Sequence, residues 1–280
     1  MVARNIQNKM KNKSITLIGA GHLGSALIRG LVKSGYPAQS ITVSNRNPSK
    51  SKRLNDELGT LSYESNLKAI EHADIIILAV KPQFMRDVCQ EIAEFVQKKR
   101  PLIISMAGVT DINTMNHWLG VSDLGIIRVM TNTPMEFQKG ISALFANTYI
   151  TPKEKELSEA IFAAVGATFW VDSEALIDIL TAAIGSAPAY VFLFMEALQE
   201  AAISRGIPAE LATQVALEVV SGAAELVRHS GRTFADLRAG VTTPNGITEH
   251  SLKKLSTDDF FDTFKTVYEA AEERIEEIKK

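Results

Sequence analysis

Apolar residues follow two patterns in this chain, and the change from one to the other divides it. In the first half, short apolar runs alternate with stretches whose apolar residues recur every three or four positions. The runs Ile15-Thr16-Leu17-Ile18, Ile41-Thr42-Val43-Ser44, Ala73 to Val80, Pro101 to Met106 and Gly125 to Met130 predict buried strands. Gly140 to Phe145 adds another. Between them, Leu23, Leu27 and Leu31 share one side of a helix. Pro48 to Leu58, Phe84 to Lys98 and Ile112 to Leu119 carry helical spacing too. This alternation predicts an α/β architecture, a doubly wound parallel sheet.

Near Thr151-Pro152-Lys153 the character changes. A charged helix over Pro152 to Val165 leads to a strand at Thr168 to Val171, and beyond Asp172 almost everything reads as helix. Ala189 to Ser204 is apolar on most sides, with Phe192, Leu193, Phe194 and Met195 consecutive. A helix apolar all round must be covered all round. Roughly 110 residues of helix build too small a core to hide it, so a partner subunit is expected. The uncharged run Ile179 to Met195 is short for a membrane span and contains Gly185, Ser186 and Pro188, so it reads as a helix buried inside protein, with no membrane involved. A second helix over Pro208 to Ser230 has Pro in its first turn and stops before Gly231. A last one runs from Ser256 to the end, with Ser256 or Thr257 as its cap and Asp258 and Asp259 in the first turn.

Composition narrows the field. At 280 residues, 46% hydrophobic and 22% charged, the chain has material for two domains and a sizeable core. A formal net charge of −2 argues against nucleic acid as a partner. The single cysteine, Cys89, cannot form an internal disulfide, which predicts a reducing cytoplasm and a packed core thiol. Residues 1–13 are polar and basic, unlike a signal peptide, and read as a loose extension.

The candidate chemistry begins directly after the first strand. Gly19, Gly21 and Gly24 form G-x-G-x-x-G between a strand and a helix, the context in which the motif holds a dinucleotide. Gly19 allows the sharp turn, Gly21 lets backbone approach a pyrophosphate, and Gly24 lets the helix pack on its strand. The alternative is a glycine-rich turn without a ligand. His22 lies inside the turn and reads as a residue that orients it. The second strand ends in Ser44-Asn45-Arg46, without the carboxylate that would hold a ribose 2′-hydroxyl. Arg46 and its small polar neighbours suit a 2′-phosphate, so NADP is expected ahead of NAD, with NADH possible. Arg46 as a solvated turn residue is the rival, with Lys50, Lys52 and Arg53 nearby to dilute its role. Ala79-Val80-Lys81-Pro82 closes another strand and belongs near the nicotinamide half of the cofactor. Lys81 reads equally well as an ordinary solvated lysine.

A second candidate lies at Val241 to His250. Pro244, Asn245 and Gly246 break the helical pattern and a helix restarts near Thr248. Such a turn aims several backbone N–H groups at one point, a seat for a small carboxylate, with Thr243 and Thr248 adding hydroxyls. A plain interhelix loop fits as well. His250 and Glu249 are candidates for proton supply or simply a solvated helix start. His72, His117 and His229 are scattered, and no metal-ligand spacing is present.

Taken together, and in this order, several motifs resemble those of the pyrroline-5-carboxylate reductases over essentially the whole chain from Ile15 onward. They are Gly19-Ala20-Gly21-His22-Leu23-Gly24, Ala79-Val80-Lys81-Pro82-Gln83, Arg128 to Pro134, Thr181 to Tyr190 and the Val241 to Thr248 loop. The resemblance implies a Rossmann domain followed by an all-α dimerisation domain. It implies NADPH- or NADH-dependent reduction of the cyclic imine 1-pyrroline-5-carboxylate to proline, and a homodimer through the C-terminal helices that assembles further. By resemblance, Thr243, Gly246 and Ile247 hold the substrate carboxylate, partly through backbone N–H groups, and Thr248 hydrogen-bonds the imine nitrogen as the catalytic candidate. Gly19 to Gly24, Asn66, Ala79 to Pro82 and Ser105-Met106-Ala107 match cofactor-contacting positions. The expected division is an extension over 1–13, a dinucleotide-binding domain over 14–171 and a helical domain over 172–280.

The chain also departs from the family pattern. Asn245 replaces a glycine, Ile184 and Ala187 add bulk where the family is small and polar, and Thr131 stands in place of proline. These departures bear on substrate identity and turnover. They leave two rivals open. One is a reductase or dehydrogenase of another small imine or keto carboxylate. Its β-hydroxyacid form lacks a candidate proton donor here, because no lysine lies between Lys155 and Lys253. The other is a cofactor-binding regulatory homologue without catalysis.

Overall fold

The structure is a computed structural model that describes residues 13–255 and 257–279. In chain order, β1 (Ile15–Ile18) leads to α1 (His22–Lys33), β2 (Ile41–Ser44), α2 (Pro48–Leu58), β3 (Leu61–Tyr63) and α3 (Asn66–Ile70). Next come β4 (Ile75–Leu78), α4 (Pro82–Lys99), β5 (Leu102–Ser105), α5 (Ile112–Leu119) and β6 (Ile126–Met130). Then follow β7 (Gly140–Ala146), α6 (Pro152–Ala163) and β8 (Gly166–Trp170). The strands form one sheet in the order β3-β2-β1-β4-β5-β6-β7-β8. The order reverses between β1 and β4, and ligands of such sheets bind at that crevice.

Every residue of β1, β4, β5 and β6 is buried, because helices cover both faces. Alternate side chains enter separate cores. Leu17, Ile77 and Ile104 meet Leu27 and Ile28 of α1, while Ile18, Ile76 and Ile103 meet Val88, Cys89 and Ile92 of α4. Burial pushes the Cys89 thiol up to about 12, as befits a packed core residue.

The sheet corrects the purely parallel expectation at one place. β7 pairs antiparallel with β6, Val129 opposite Leu144. A 3-10 turn at Thr133–Phe137 joins them in place of a crossover helix. β3 and α3 were also absent from the sequence pattern. β3 has three residues at the sheet edge, with Leu61 and Tyr63 exposed, too short and too open to show a period.

Beyond β8 come α7 (Glu174–Leu180), a π-helical segment at Thr181–Ser186, α8 (Ala187–Ile203), α9 (Ala209–Ser230), α10 (Phe234–Gly240), α11 (Ile247–Leu255) and α12 (Thr257–Lys279). The chain forms two compact units, one reaching Ser186 and taking in the residues from Glu272, the other Ala187–Ala271. The 171/172 division falls just after β8. The sheet unit continues because Ile177 and Ile184 pack with Met130 and Ala143.

In the helical unit, no residue of α8 is buried by this chain, and Phe192 and Leu193 are 61% and 67% exposed. One chain alone therefore leaves this helix uncovered, as the expected partner subunit requires. Pro208 and Gly231 bracket α9 as expected, Gly231 taking the left-handed conformation. The extension over 1–13, apart from Lys13, and the side chains of 256–258 at the expected cap lie outside the described residues.

Candidate active site

The glycine turn is held from three sides. Gly19 has φ +108°, and its N–H donates to the Ser44 carbonyl at 2.8 Å. A Cβ on Gly19 would stand 2.6 Å from the Ala79 carbonyl oxygen, so only glycine fits between the ends of β2 and β4. A Cβ on Gly24 would run into the Gly19 carbonyl, which is why α1 can lie so close to β1. Gly21 differs: a Cβ there meets nothing within 4 Å. It occupies the N-cap position of α1, and no side chain caps the helix. The first amides of α1 thus face open space, the arrangement that seats an anion.

Beside this turn lies a cavity of 630 Å³ bordered by Gly19, Gly21, Arg46, Ala79, Lys81 and Phe84. The Arg46 guanidinium lies over the Phe84 ring, 4.1 Å from its centroid, which holds the charge at the rim. A neighbouring cavity of 520 Å³ shares Gly21 and Lys50 and adds the exposed His22 and Arg53. Arg29 also borders it but is committed to Glu57 at 2.7 and 2.8 Å, and that hydrogen bond holds its pKa up. Lys52 is paired with Asp56. Among the described residues, Lys50 and Arg53 have no carboxylate at ion-pair distance, so with Arg46 they are cations left for a ligand. The open turn, the uncapped helix and these charges fit a dinucleotide phosphate.

Several expected contacts prove to be supports. Ser44 is fully buried, and its hydroxyl donates to Asn66 Oδ1 at 2.6 Å. Asn66 in turn donates to Glu91 Oε2 at 2.7 Å. Ser44 therefore cannot meet a phosphate; it braces the cavity wall. Asn45 accepts from the Ala20 N–H at 2.9 Å, so its carboxamide shapes the glycine turn. Ser105, Met106 and Ala107 are also buried, with the Ala107 N–H on Ser105 Oγ and the Met106 N–H on the Leu78 carbonyl. They underlie the surface. Leu23 packs against the core, Ala79, Val80 and Pro82 are half-buried, and Lys81 is exposed on the cavity.

Sequence reasoning gave Arg128 no physical role. It is fully buried in β6 and donates to Glu174 at 2.9 Å, to Asp178 at 2.8 Å and to the Gly108 carbonyl at 2.8 Å. Lys279 reaches the other oxygen of Asp178 at 3.0 Å. A charge in a strand buried on both faces had to be paired, and that signal was available. Two departures from the family pattern are explained nearby. Ile184 is buried in an apolar cluster, and the Thr131 hydroxyl shares a 2.8 Å hydrogen bond with Ser142.

In the helical unit, the Gly246 N–H closes a turn on the Thr243 carbonyl at 2.9 Å. Asn245 sits at φ +59°, a conformation Asn tolerates better than most residues. α11 begins at Ile247, which is 89% exposed, and Thr243, Thr248 and His250 are exposed beside it. Gly246 has spent its amide on the turn, which corrects its expected role as a donor. Helix geometry leaves the first amides of α11 without backbone partners inside the helix. Glu249 accepts from the Asn245 N–H at 2.9 Å.

Comparison with known proteins agrees with this geometry. Residues 174–278 match a family model described as pyrroline-5-carboxylate reductase dimerisation, and residues 14–108 match one described as NADP oxidoreductase, coenzyme F420-dependent. The pyrroline-5-carboxylate reductase of Vibrio alginolyticus is 36% identical over 272 residues, covering 97% of this chain and 99% of that protein. That of Pseudomonas aeruginosa is 36% identical, covering 96% and 98%. A pyrroline-5-carboxylate reductase structure from Coxiella burnetii superposes with a TM-score of 0.87 at 35% identity, covering 96% of this chain and all of that one. A Plasmodium falciparum pyrroline carboxylate reductase with NADP bound also gives 0.87, at 29% identity, covering 97% and 100%. With both halves matched and relatives aligned end to end, the chain belongs to the pyrroline-5-carboxylate reductase family.

Proposed function

We propose that this protein reduces 1-pyrroline-5-carboxylate to proline with NADPH, as a homodimer through its helical unit. The observation that carries the reading is the conjunction of an open, uncapped glycine turn flanked by unpaired cations with full-length kinship to reductases of this imine. The exposed faces of α8 match the dimerisation model and give the second subunit a physical purpose. We further infer a cytoplasmic enzyme whose dimers assemble into larger particles.

When bound, the reduced nicotinamide supplies a hydride to the imine carbon. The first amides of α1 grip the pyrophosphate, and Arg46 with Lys50 takes the 2′-phosphate. Thr243 and the first amides of α11 hold the substrate carboxylate. The Thr248 hydroxyl accepts from the protonated imine nitrogen and so keeps the carbon electrophilic. The proton is already on the nitrogen or comes from water, so His250 and Glu249 need supply none. These residues contribute orientation, from which most of the acceleration in such a transfer can come.

Absorbance of the reduced nicotinamide, followed with 1-pyrroline-5-carboxylate, a six-membered cyclic imine and a 2-keto acid, tests the reading. The five-membered imine should be the preferred substrate. Thr248→Val should lower kcat about tenfold or more while NADPH affinity holds. Arg46→Glu should raise the KM for NADPH about 10- to 100-fold and that for NADH far less. Preference for the keto acid would overturn the substrate, and equal responses to the two cofactors would remove Arg46 as the phosphate reader.

A further inference from the structure

Glu249 touches nothing that the reaction requires, yet it is tied to the loop that does. Its Oε2 accepts from the Asn245 N–H at 2.9 Å, and Lys253, one helical turn on, stands 3.6 Å from the same oxygen. An acidic residue in the third helical position ordinarily reaches back to the amide just before the helix. That amide, on Gly246, is already spent on the Thr243 carbonyl. Glu249 instead reaches one residue further, to Asn245, which carries the left-handed backbone at φ +59°. This placement has two consequences. It restrains a conformation that costs a residue with a Cβ more than it costs glycine. It also ties the carboxylate to the Asn245 amide, with Lys253 beside it to offset the charge.

We propose that Glu249 is a positioning residue for the substrate loop, its carboxylate pinning the Asn245 N–H so that the kink at Thr243 to Gly246 keeps the first amides of α11 aimed at the substrate carboxylate. The proposal rests on the reading of this loop as the carboxylate seat. Pro244 restrains the loop before the kink, the Gly246 turn bond closes it, and Glu249 holds it from the helix side. Without that last restraint the competent conformation is populated for a smaller fraction of the time. Apparent affinity falls by that fraction, while turnover of the bound substrate is unchanged.

Steady-state kinetics on the full-length enzyme at saturating NADPH, with 1-pyrroline-5-carboxylate varied, test it. Glu249→Ala should raise KM about three- to tenfold with kcat held within about twofold. Glu249→Gln, which keeps an acceptor oxygen, should restore most of the loss. Asn245→Gly combined with Glu249→Ala should restore it as well, because glycine takes the left-handed conformation unaided. NADPH affinity and melting temperature should stay near the parent values, which a general loss of structure would not allow. An unchanged or lowered KM in Glu249→Ala overturns the proposal, as does a rise that glycine at 245 fails to relieve. Ile247→Pro removes one amide of the seat at a helical position that tolerates proline. If Ile247→Pro raises KM and Glu249→Ala does not, only the positioning role falls. If Ile247→Pro also leaves KM unchanged, the carboxylate seat falls and the positioning role with it.

Discussion

The two compact units solve the same problem, how to hide apolar side chains, in opposite ways. In the sheet unit every residue of β1 and β4 is buried by the chain's own helices. In the helical unit α8 is mostly apolar too, yet none of its residues is buried and Leu193 is 67% exposed. A sheet sandwiched between helices closes two cores by itself. A few helices of similar greasiness leave faces that only another molecule can cover. The family match assigns that cover to a second subunit, so one unit is complete as a monomer and the other is half of a shared core.

The largest effect should follow from breaking the shared core. Replacing Phe192 and Leu193 together with Asp removes two apolar side chains per subunit, about 1.5–3 kcal/mol each before the cost of burying charge. Light scattering should show monomers, and activity should vanish. Amide hydrogen exchange should still show protection across β1, β4 and β5. Loss of protection in those strands would mean that the sheet unit is not self-sufficient.

A smaller effect should come from inside the sheet unit. Arg128→Ala takes their shared partner from Glu174, Asp178 and the Gly108 carbonyl, leaving Asp178 with Lys279 and Glu174 with the Ile112 N–H, and breaking a buried pair of this kind costs about 3–5 kcal/mol. Denaturant unfolding should register it as a shifted midpoint with the dimer intact below the transition. A loss under 1 kcal/mol would show that the acidic partners turn freely to water.

The smallest test separates two glycines three residues apart. Gly24→Ala forces a Cβ into the Gly19 carbonyl and should cost about 1–3 kcal/mol of stability and about tenfold or more in NADPH affinity. Gly21→Ala has free space and should leave stability within about 0.5 kcal/mol while weakening NADPH, because the added methyl stands where the pyrophosphate approaches. Fluorescence titration and thermal unfolding read both. If Gly21→Ala binds NADPH normally, the ligand does not sit against that residue.

Much of the sheet unit could be read from the chain alone. Continuous apolar runs such as Ile75 to Leu78 are buried on both faces whatever their neighbours, and the glycine spacing places a turn before α1. β3 was missed because three residues at an edge carry no period, and the reversal of β7 because strand direction depends on the connection rather than on the strand. The site was less transparent. Ser44 and Arg46 are two residues apart, yet one hydroxyl is turned inward to Asn66 while the other side chain lies over Phe84 at a cavity rim. In the helical unit the spacing announced a kinked loop, but not that the Gly246 amide would be consumed in making it.

The sequence by itself determined what depends on local pattern: which segments are strands or helices, where the phosphate turn lies, and that one helix is too apolar to stand alone. Tertiary structure alone decided which polar groups remain free to act. Hydrogen bonds between residues far apart in the chain, such as Arg128 to Asp178 and Ser44 to Asn66, remove some side chains from chemistry and leave others available. Hydrophobic periodicity acts over a few residues, whereas the pairing of buried polar groups is settled only when distant segments meet.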